Sequence, residues 1–241
     1  MNNSKNFNKR YLKKLPIGLI ILLILFAAGI FLFAFITYEV IYEKKDAFDN
    51  AIFTFLSSSV ISPGLTIFMK DVTFFGSATF LEIAYAALLL IYIIARNWKR
   101  VFEIICIGLG GYLVNYFMKL SFHRIRPPNP LIDPLSNFSF PSGHATSAFI
   151  FYGLVAYLIW KTKLPRAFRY MIGGLLILFS LLIGFSRVYL RVHFPSDVIA
   201  GICIGFAWLF ILCLLFERLK KKSHTEIEAK GIVPGTTEDQ K

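Results

Sequence analysis

Residues 15–37, LPIGLIILLILFAAGIFLFAFIT, form an apolar run without a charged side chain. At about 1.5 Å per residue, a helix of this length crosses a hydrocarbon core about 30 Å thick. A helix is favoured because every backbone polar group must be hydrogen-bonded internally in lipid. The run lacks a small-residue cleavage site, so we predict a membrane span that is retained and not a signal peptide.

Five further apolar segments indicate that the chain crosses the membrane repeatedly. They cover residues 77–95, 101–118, 145–160, 170–185 and 198–216, and runs of this length indicate helices. The sequence therefore predicts an all-α integral membrane protein in which residues 15–216 form a six-transmembrane-helix bundle. Residues 1–14 are predicted to be a basic cytoplasmic N-terminus. Residues 217–241 are too polar to fold alone, so we predict a disordered cytoplasmic tail.

The composition agrees with a membrane protein and argues against other classes. The chain is 56% hydrophobic and 17% charged, which is too apolar for a water-soluble domain of this size. Its net charge of +12 does not indicate a nucleic-acid partner, because the basic residues fall in short clusters between apolar runs. Cys106, Cys203 and Cys213 lie inside apolar runs, which predicts buried thiols and neither disulfides nor a metal site.

The basic clusters predict the orientation. They precede the first predicted helix, join the second to the third and the fourth to the fifth, and follow the sixth. Their members are Lys5, Lys9, Arg10, Lys13, Lys14, Arg96, Lys99, Arg100, Lys161, Lys163, Arg166, Arg169, Arg218, Lys220, Lys221 and Lys222. All four clusters fall on one side of a six-helix topology, which the positive-inside rule makes cytoplasmic. Both termini are then cytoplasmic, and the connections 38–76, 119–143 and 186–197 are extracytoplasmic.

The first outer connection contains one more apolar stretch, residues 48–61. Asp49, Asn50 and three serines interrupt it. Such a stretch favours a helix that lies in the membrane interface over a seventh span. A seventh span would also place the other two outer connections on opposite sides of the membrane.

Polar residues in the outer connections form a three-part pattern, and each part lies at the end of a predicted helix. The parts are Lys119 with Arg126-Pro127, then Pro141-Ser142-Gly143-His144, then Ser186-Arg187 with His193 and Asp197. Between residues 119 and 197 this pattern resembles the type 2 phosphatidic acid phosphatase superfamily. The stretch VTFFGS at residues 72–77 resembles a weaker feature of the same family.

The cations of the pattern suit a phosphate group. Arginine offers a planar fork that matches two phosphate oxygens, and lysine supplies a compact charge. Lys119, Arg126 and Arg187 are therefore predicted to bind phosphate, since three cations at the ends of apolar helices are costly to desolvate without an anion. Ser142 and Gly143 open the fourth predicted helix, where free amides and the helix dipole favour an anion. Taken alone, Ser142 would be an ordinary helix cap.

The remaining residues of the pattern suit nucleophilic catalysis. Pro195 fits the first turn of the sixth helix, so that Asp197 can reach back to His193. A hydrogen bond from one ring nitrogen to Asp197 would leave the other nitrogen free to attack phosphorus. The resemblance implies that His193 forms a phosphohistidine, that Asp197 orients it, and that His144 protonates the leaving oxygen and then activates water. No metal or cofactor is expected, because the outer connections lack a carboxylate cluster with divalent-ion geometry.

The motifs recognise phosphate and do not choose the lipid. Family members act on phosphatidic acid, phosphatidylglycerophosphate or isoprenyl diphosphates, and we favour phosphatidylglycerophosphate or undecaprenyl diphosphate as the substrate. Two alternatives stay open. A vanadium-dependent haloperoxidase would carry the same motifs, although those enzymes resemble soluble helical bundles. A catalytically silent lipid-binding or transport protein would not need His144, His193 and Asp197. The oligomeric state is not predicted.

Several residues near the motifs are left without a firm role. His123, Arg124 and Arg191 lie in the spacers of the pattern and are candidates for substrate contact. Glu82 lies within the second predicted helix, where a carboxylate is costly unless it reaches water or serves a function. Gly108, Gly110 and Gly111 on the third helix are predicted to allow close packing between helices.

Overall fold

The computed structural model describes residues 17–229, which form eight α-helices and no strand. The helices are α1 (Ile17–Thr37), α2 (Ala47–Ser59), α3 (Pro63–Phe74), α4 (Ala78–Ile94), α5 (Trp98–Phe122), α6 (Gly143–Trp160), α7 (Arg166–Tyr189) and α8 (Pro195–Ala229). A π-helical turn, Tyr38–Tyr42, extends α1.

Five of these helices are long and apolar enough to cross a membrane. They are α1 with its π-helical extension, α5, α6, α7 and the part of α8 from Pro195 to Lys220. The bent pair of α3 and α4, with 41° between the two helices, becomes a sixth when counted as one span. The predicted all-helical membrane bundle is therefore confirmed, with five or six candidate spans in the described part of the chain.

Small residues on α5 let the helices approach closely, as the sequence predicted. A Cβ atom added at Gly108 would lie 2.8 Å from Cε1 of Tyr85 on α4. Added Cβ atoms at Gly110 and Gly111 would collide with Trp208 on α8 and Ile150 on α6. These glycines place α5 against three neighbours and bury the apolar cluster around Ile107 and Leu154, which fixes the helix ends that carry the motifs.

The two ends of the bundle have different chemistry. At one end, Arg100 at the start of α5 donates to the hydroxyl of Tyr157 on α6 at 3.5 Å, and that hydroxyl donates to Glu217 on α8 at 2.9 Å. Lys161 also pairs with Glu217. The basic clusters at 96–100 and 161–169 therefore lie at this end, and the three-part pattern lies at the opposite end. The assignment of the basic end to the cytoplasm stays a prediction.

Several helices extend beyond the predicted segments. The apolar segments stop where charged residues begin, whereas backbone hydrogen bonding continues through Lys119 on α5 and Arg187 on α7. The disordered tail predicted from residue 217 is wrong for residues 217–229, which continue α8. That stretch contains no glycine or proline and is rich in the good helix formers glutamate and lysine. The rest of the predicted tail and the basic N-terminus lie outside the described residues.

The connection between α1 and α4 contains two helices that cover the motif end of the bundle. Residues 47–59 form α2, which overlaps the stretch 48–61 that was expected to be an interfacial helix, and its position at an interface stays a prediction. On α2, Phe53 and Leu56 pack against Ala145 and Val198. Helix α3 was not predicted from the sequence, and its Met69 packs against the α7–α8 connection.

Candidate active site

The connection between α7 and α8 holds His193 inside the protein, with 2% of its surface exposed. The backbone amides of Val192 and His193 both donate to the carbonyl of Arg187, at 3.1 and 3.3 Å. Pro195 then begins α8, and the first turn of this helix carries Asp197. The amide of Ser142 donates to the carbonyl of Asp197 at 3.0 Å, so the starts of α6 and α8 are joined directly.

Hydrogen bonding indicates the tautomer of His193. Nη1 of Arg126 lies 3.1 Å from Nε2 of His193. Because a guanidinium can only donate, Nε2 must accept and carry no proton. The proton of the neutral ring is then on Nδ1, which lies 3.5 Å from Oδ2 of Asp197 and 3.4 Å from Oγ of Ser139. These distances are long for hydrogen bonds, and catalytic contacts of this kind often tighten when substrate binds.

Burial keeps the His193 ring neutral. It lowers the pKa of His193 from 6.5 to about 3, and the positive charges of Arg126 and Arg187 act in the same direction. Asp197 opposes this shift through its hydrogen bond and its negative charge. Neutral imidazole is the form with a free ring lone pair, so the environment favours the nucleophilic state.

Lys119 and Arg126 converge on one backbone carbonyl. Nζ of Lys119 lies 2.6 Å from the carbonyl oxygen of Phe138, and Nη2 of Arg126 lies 3.5 Å from the same oxygen. Nε of Arg126 also donates to the carbonyl of Asn137 at 2.8 Å. Two cations from the first part of the pattern therefore lie together beside His193.

Arg187 is buried, with 3% of its surface exposed, and its guanidinium is incompletely paired. Nη1 donates to Oγ1 of Thr73 at 2.8 Å, whereas the buried Nε has no hydrogen-bond partner. An unpaired buried donor is costly, and an anion oxygen would satisfy it. Thr73 belongs to the stretch 72–77, so this weaker family feature contacts Arg187 of the three-part pattern.

The start of α6 combines a helix cap with a close approach of side chains from α5. Oγ of Ser142 accepts from the amide of Ala145 at 3.5 Å, as an ordinary cap does. An added Cβ at Gly143 would lie 3.3 Å from Oδ1 of Asn115 and 3.6 Å from Cε of Lys119. Glycine therefore leaves the first turn of α6 open toward Lys119. An added Cβ at Gly76 would lie 3.4 Å from Cδ2 of His144, so the α3–α4 turn abuts His144.

A cavity of about 710 Å³ lies between α4, α5 and α6 and includes His144, Lys119 and Gly143 in its lining. Apolar side chains form much of the rest, among them Leu81, Leu89, Ile104, Ile105 and Leu109. A volume of this order suits a drug-sized or larger ligand. Glu82 also lines the cavity and is exposed.

The spacer residues left open by the sequence take different places. Arg124 contacts Asp197, with Nη1 2.6 Å from Oδ1. His123 adopts a left-handed conformation with φ 48° at the end of α5 and packs edge-on against Phe138. The guanidinium of Arg191 lies 5.2 Å from the ring centre of Phe53.

Three polar residues of this region were not predicted from the sequence. Asn115 donates to Oγ1 of Thr146 at 3.1 Å behind the start of α6, and Ser139 donates to Asp197. Asp49 is buried against the start of α8 and was noticed only as an interruption of an apolar stretch. The only sequence signal for a role of Asp49 was that it is a charged residue inside an apolar stretch.

The structure thus brings His193, Asp197 and Arg126 into contact, and it places Lys119, Gly143 and His144 on the adjoining cavity. Within residues 17–229, no three His, Cys, Asp or Glu side chains are grouped so as to hold a metal ion. Cys203 is buried as predicted, whereas Cys106 and Cys213 are only partly buried. The catalytic and phosphate-binding roles of the predicted residues stay predictions.

A helical membrane bundle with a neutral histidine among three cations has the features of a membrane phosphatase. The family described as PAP2 superfamily matches residues 101–221, and the chain belongs to this superfamily. The phosphatidylglycerophosphatase B of Bacillus subtilis (strain 168) is 32% identical over 171 residues, which cover 66% of this chain and 79% of that protein. The family and the membrane lipid phosphatase predicted from the motifs are thereby confirmed.

Two further comparisons agree with this assignment. An undecaprenyl-diphosphatase of Bacillus subtilis (strain 168) is 33% identical over 136 residues, 52% of this chain and 65% of that protein. The crystal structure of a transmembrane PAP2-type phosphatidylglycerolphosphate phosphatase from Bacillus subtilis superposes with a TM-score of 0.67 at 25% identity. That superposition covers 82% of this chain and 96% of the other.

Proposed function

We propose that this chain removes a phosphate from a membrane lipid through a phosphohistidine on His193. The observation that carries the proposal is the contact between Arg126 and Nε2 of His193, beside the cavity lined by His144 and Lys119. The phosphate would occupy the cationic end, and the apolar part of the cavity would receive the lipid.

In the first step, Nε2 of His193 attacks phosphorus, and the bond from phosphorus to the lipid oxygen breaks. His144, in its protonated imidazolium form, donates a proton to that oxygen and becomes neutral. The oxygen leaves as a lipid alcohol or, from a diphosphate, as a lipid monophosphate. Asp197 stabilises the charge that develops on the ring through Nδ1–H. Lys119, Arg126 and Arg187 stabilise the equatorial oxygens, and phosphoryl transfer depends mainly on such positioning and charge stabilisation.

In the second step, water attacks the phosphohistidine. His144 accepts a proton from that water, the bond from phosphorus to Nε2 breaks, and inorganic phosphate leaves. The first turn of α6, with Ser142 and Gly143, supplies backbone amides and the positive end of the helix dipole to the same oxygens.

We infer that phosphatidylglycerophosphate is the preferred substrate. The phosphatidylglycerophosphatase B relative combines 32% identity with coverage of 79% of its length. One undecaprenyl-diphosphatase is 33% identical over 65% of its length, and another is only 28% identical over 81%. We also infer that the site faces the outside of the cell, since the basic clusters lie at the opposite end of the bundle.

The test is phosphate release by the full-length chain in detergent with excess chelator. The substrates are phosphatidylglycerophosphate, phosphatidic acid and undecaprenyl diphosphate, and His193→Gln is the control. We expect turnover in chelator, because three side-chain cations supply the charge, and inhibition by vanadate. If none of these lipids releases phosphate, the proposal is contradicted, and a silent lipid-binding protein would be favoured. Vanadate-dependent oxidation of bromide by peroxide would favour the haloperoxidase alternative.

A further inference from the structure

A buried carboxylate outside the three-part pattern is bound to the start of α8. Asp49 on α2 is 1% exposed. Its carboxylate accepts from the amide of Ser196 at 2.9 Å, from the hydroxyl of Ser196 at 2.6 Å, and from Nη2 of Arg124 at 2.8 Å. Since burying a charge is costly, a carboxylate with this many donors indicates a specific arrangement and not an incidental contact.

Arg124 joins Asp49 to Asp197. While Nη2 binds Asp49, Nη1 lies 2.6 Å from Oδ1 of Asp197 and 2.8 Å from the hydroxyl of Ser196. The guanidinium carbon also lies 4.1 Å from the ring centre of Phe194, the neighbour of His193. The planar fork of arginine binds the two carboxylates through two separate nitrogens, a geometry that the single nitrogen of lysine does not reproduce.

This arrangement decides which way Asp197 points. Its Oδ1 is taken by Arg124, so Oδ2 faces the amide of Phe194 at 2.9 Å, the hydroxyl of Ser139, and Nδ1 of His193. Without Arg124, Oδ1 loses its charged partner, and only the donors to Oδ2, the amide of Phe194 and the hydroxyl of Ser139, restrain the carboxylate beside the imidazole. Asp49 in turn holds Arg124 and shares its positive charge, so that Asp197 keeps more negative charge toward His193.

We propose that Asp49 and Arg124 are positioning residues that hold Asp197 in the orientation required by His193. The inference rests on the proposed function of His193 and gives the outer helix α2 a part in the reaction. Neither residue lines the cavity, so their loss acts on the rate of attack and not on substrate binding.

The test compares Asp49→Asn with Asp46→Asn in the full-length enzyme. Asp46 lies at the start of α2, is exposed and makes no side-chain cap bond, so it is a matched control. For Asp49→Asn we expect kcat to fall about 10- to 100-fold, the cost of a small misplacement of a reacting group, with KM unchanged. For Asp46→Asn we expect no change in either constant.

A double-mutant cycle tests the route through Arg124. If Asp49 acts only through Arg124, the Asp49→Asn/Arg124→Gln enzyme is no slower than Arg124→Gln alone. Additive losses would contradict that route. Should Asp49→Asn fail to fold, Arg124→Lys serves instead, because it keeps the charge and loses the fork. Wild-type kcat in Arg124→Lys would overturn the proposal.

Trapping of the phosphoenzyme separates this inference from the proposed function. With radiolabelled substrate, we expect label on His193 of the wild type and slower labelling in Asp49→Asn. Labelling of Asp49→Asn at the wild-type rate refutes the positioning role alone. A wild type that turns over without label on His193 refutes the proposed function itself.

Discussion

Arg126 and His193 are in direct contact, with Nη1 of the arginine 3.1 Å from Nε2 of the imidazole. The cation proposed to bind phosphate thus lies against the ring nitrogen proposed to attack it. An anion that replaces Nε2 as the acceptor of Nη1 lies next to the ring nitrogen whose lone pair is thereby released, so phosphate recognition is coupled to alignment of the nucleophile. The contact also fixes the tautomer, since Nε2 can accept from arginine only when it carries no proton.

We predict that His193 stays neutral in the phosphate-free enzyme well below pH 6. Burial lowers its pKa to about 3, so its ring nitrogens should keep the chemical shifts of neutral imidazole between pH 8 and pH 5. The measurement is nitrogen NMR of the ¹⁵N-histidine-labelled protein in detergent, with His193→Gln to assign the signals. A His193 signal that titrates near pH 6.5 would contradict the burial argument.

The same shift predicts how stability depends on pH. Between pH 6.5 and pH 3 the unfolded chain binds a proton at His193 that the folded chain does not, so stability falls as pH is lowered through this range. At pH 5 the shift of His193 lowers the free energy of unfolding by about 2 kcal/mol. Thermal unfolding at pH 7 and pH 5 should therefore show a smaller difference in His193→Gln than in the wild type. If the unfolding temperature changes equally between pH 7 and pH 5 in both proteins, His193 is not the cause of the pH dependence.

We predict that Arg187→Gln lowers kcat by about 10²- to 10³-fold, the usual cost of one donor to a transition-state oxygen. Arg187 is buried and its Nε lacks a protein partner, so a bound phosphate is the acceptor that its guanidinium fits. Thr73→Val removes only the hydroxyl that binds Nη1 and should cost much less. Steady-state kinetics of both variants provide the test, and equal losses would indicate that Arg187 is mainly structural.

The cavity leads to a prediction about the lipid chains. Leu109→Trp narrows the cavity between α4, α5 and α6, so we expect a lower kcat/KM for long-chain lipid phosphates and little change for a short-chain, water-soluble phosphate ester. Leu113→Trp is the matched control, because Leu113 is an exposed leucine one turn along α5 that does not line the cavity. Equal effects of the two substitutions on long-chain substrates would place the lipid elsewhere.

Local patterns predicted much of the fold and the motif residues. Each apolar run and each part of the three-part pattern involves residues that are close in sequence. In the structure, the runs are helices and the parts of the pattern lie at helix ends. Helix ends were harder to predict, because Lys119 and Arg187 end an apolar run although they lie in the last turns of α5 and α7. The charged residues that are proposed to bind phosphate are therefore the same ones at which the apolar pattern ends.

Long-range polar contacts could not be predicted from the sequence. Asp49 is separated by 75 residues from Arg124 and by 147 from Ser196, so no local spacing relates them. Within its own stretch, Asp49 has the appearance of a polar break in an amphipathic helix. Only the packing of α2 on the start of α8 identifies the carboxylate as part of the site.

The predicted orientation can be tested in cells. We expect a cysteine placed at Asn129, in the connection between α5 and α6, to react with an impermeant thiol reagent added to intact cells. A cysteine at Thr162, between α6 and α7, should react only after the cells are opened. Both positions are exposed, so access to the protein surface is matched, and Cys106, Cys203 and Cys213 are replaced in both variants. The reverse pattern would place the site on the cytoplasmic side.

Alanine substitutions of His193 and His144 are expected to impair the reaction in different ways. His193→Ala should abolish turnover and the acid-labile phosphoenzyme for every substrate, because the nitrogen at Arg126 is lost. His144→Ala should still transfer phosphate from an aryl phosphate with a good leaving group, since an oxygen of low basicity needs little protonation. With a lipid alkoxide as the leaving group it should be nearly inactive. The measurement is rapid-quench labelling with both substrate types. Radiolabelled phosphate on His144 instead of His193 would reverse the two roles, and equal loss with both leaving groups would remove His144 as the acid.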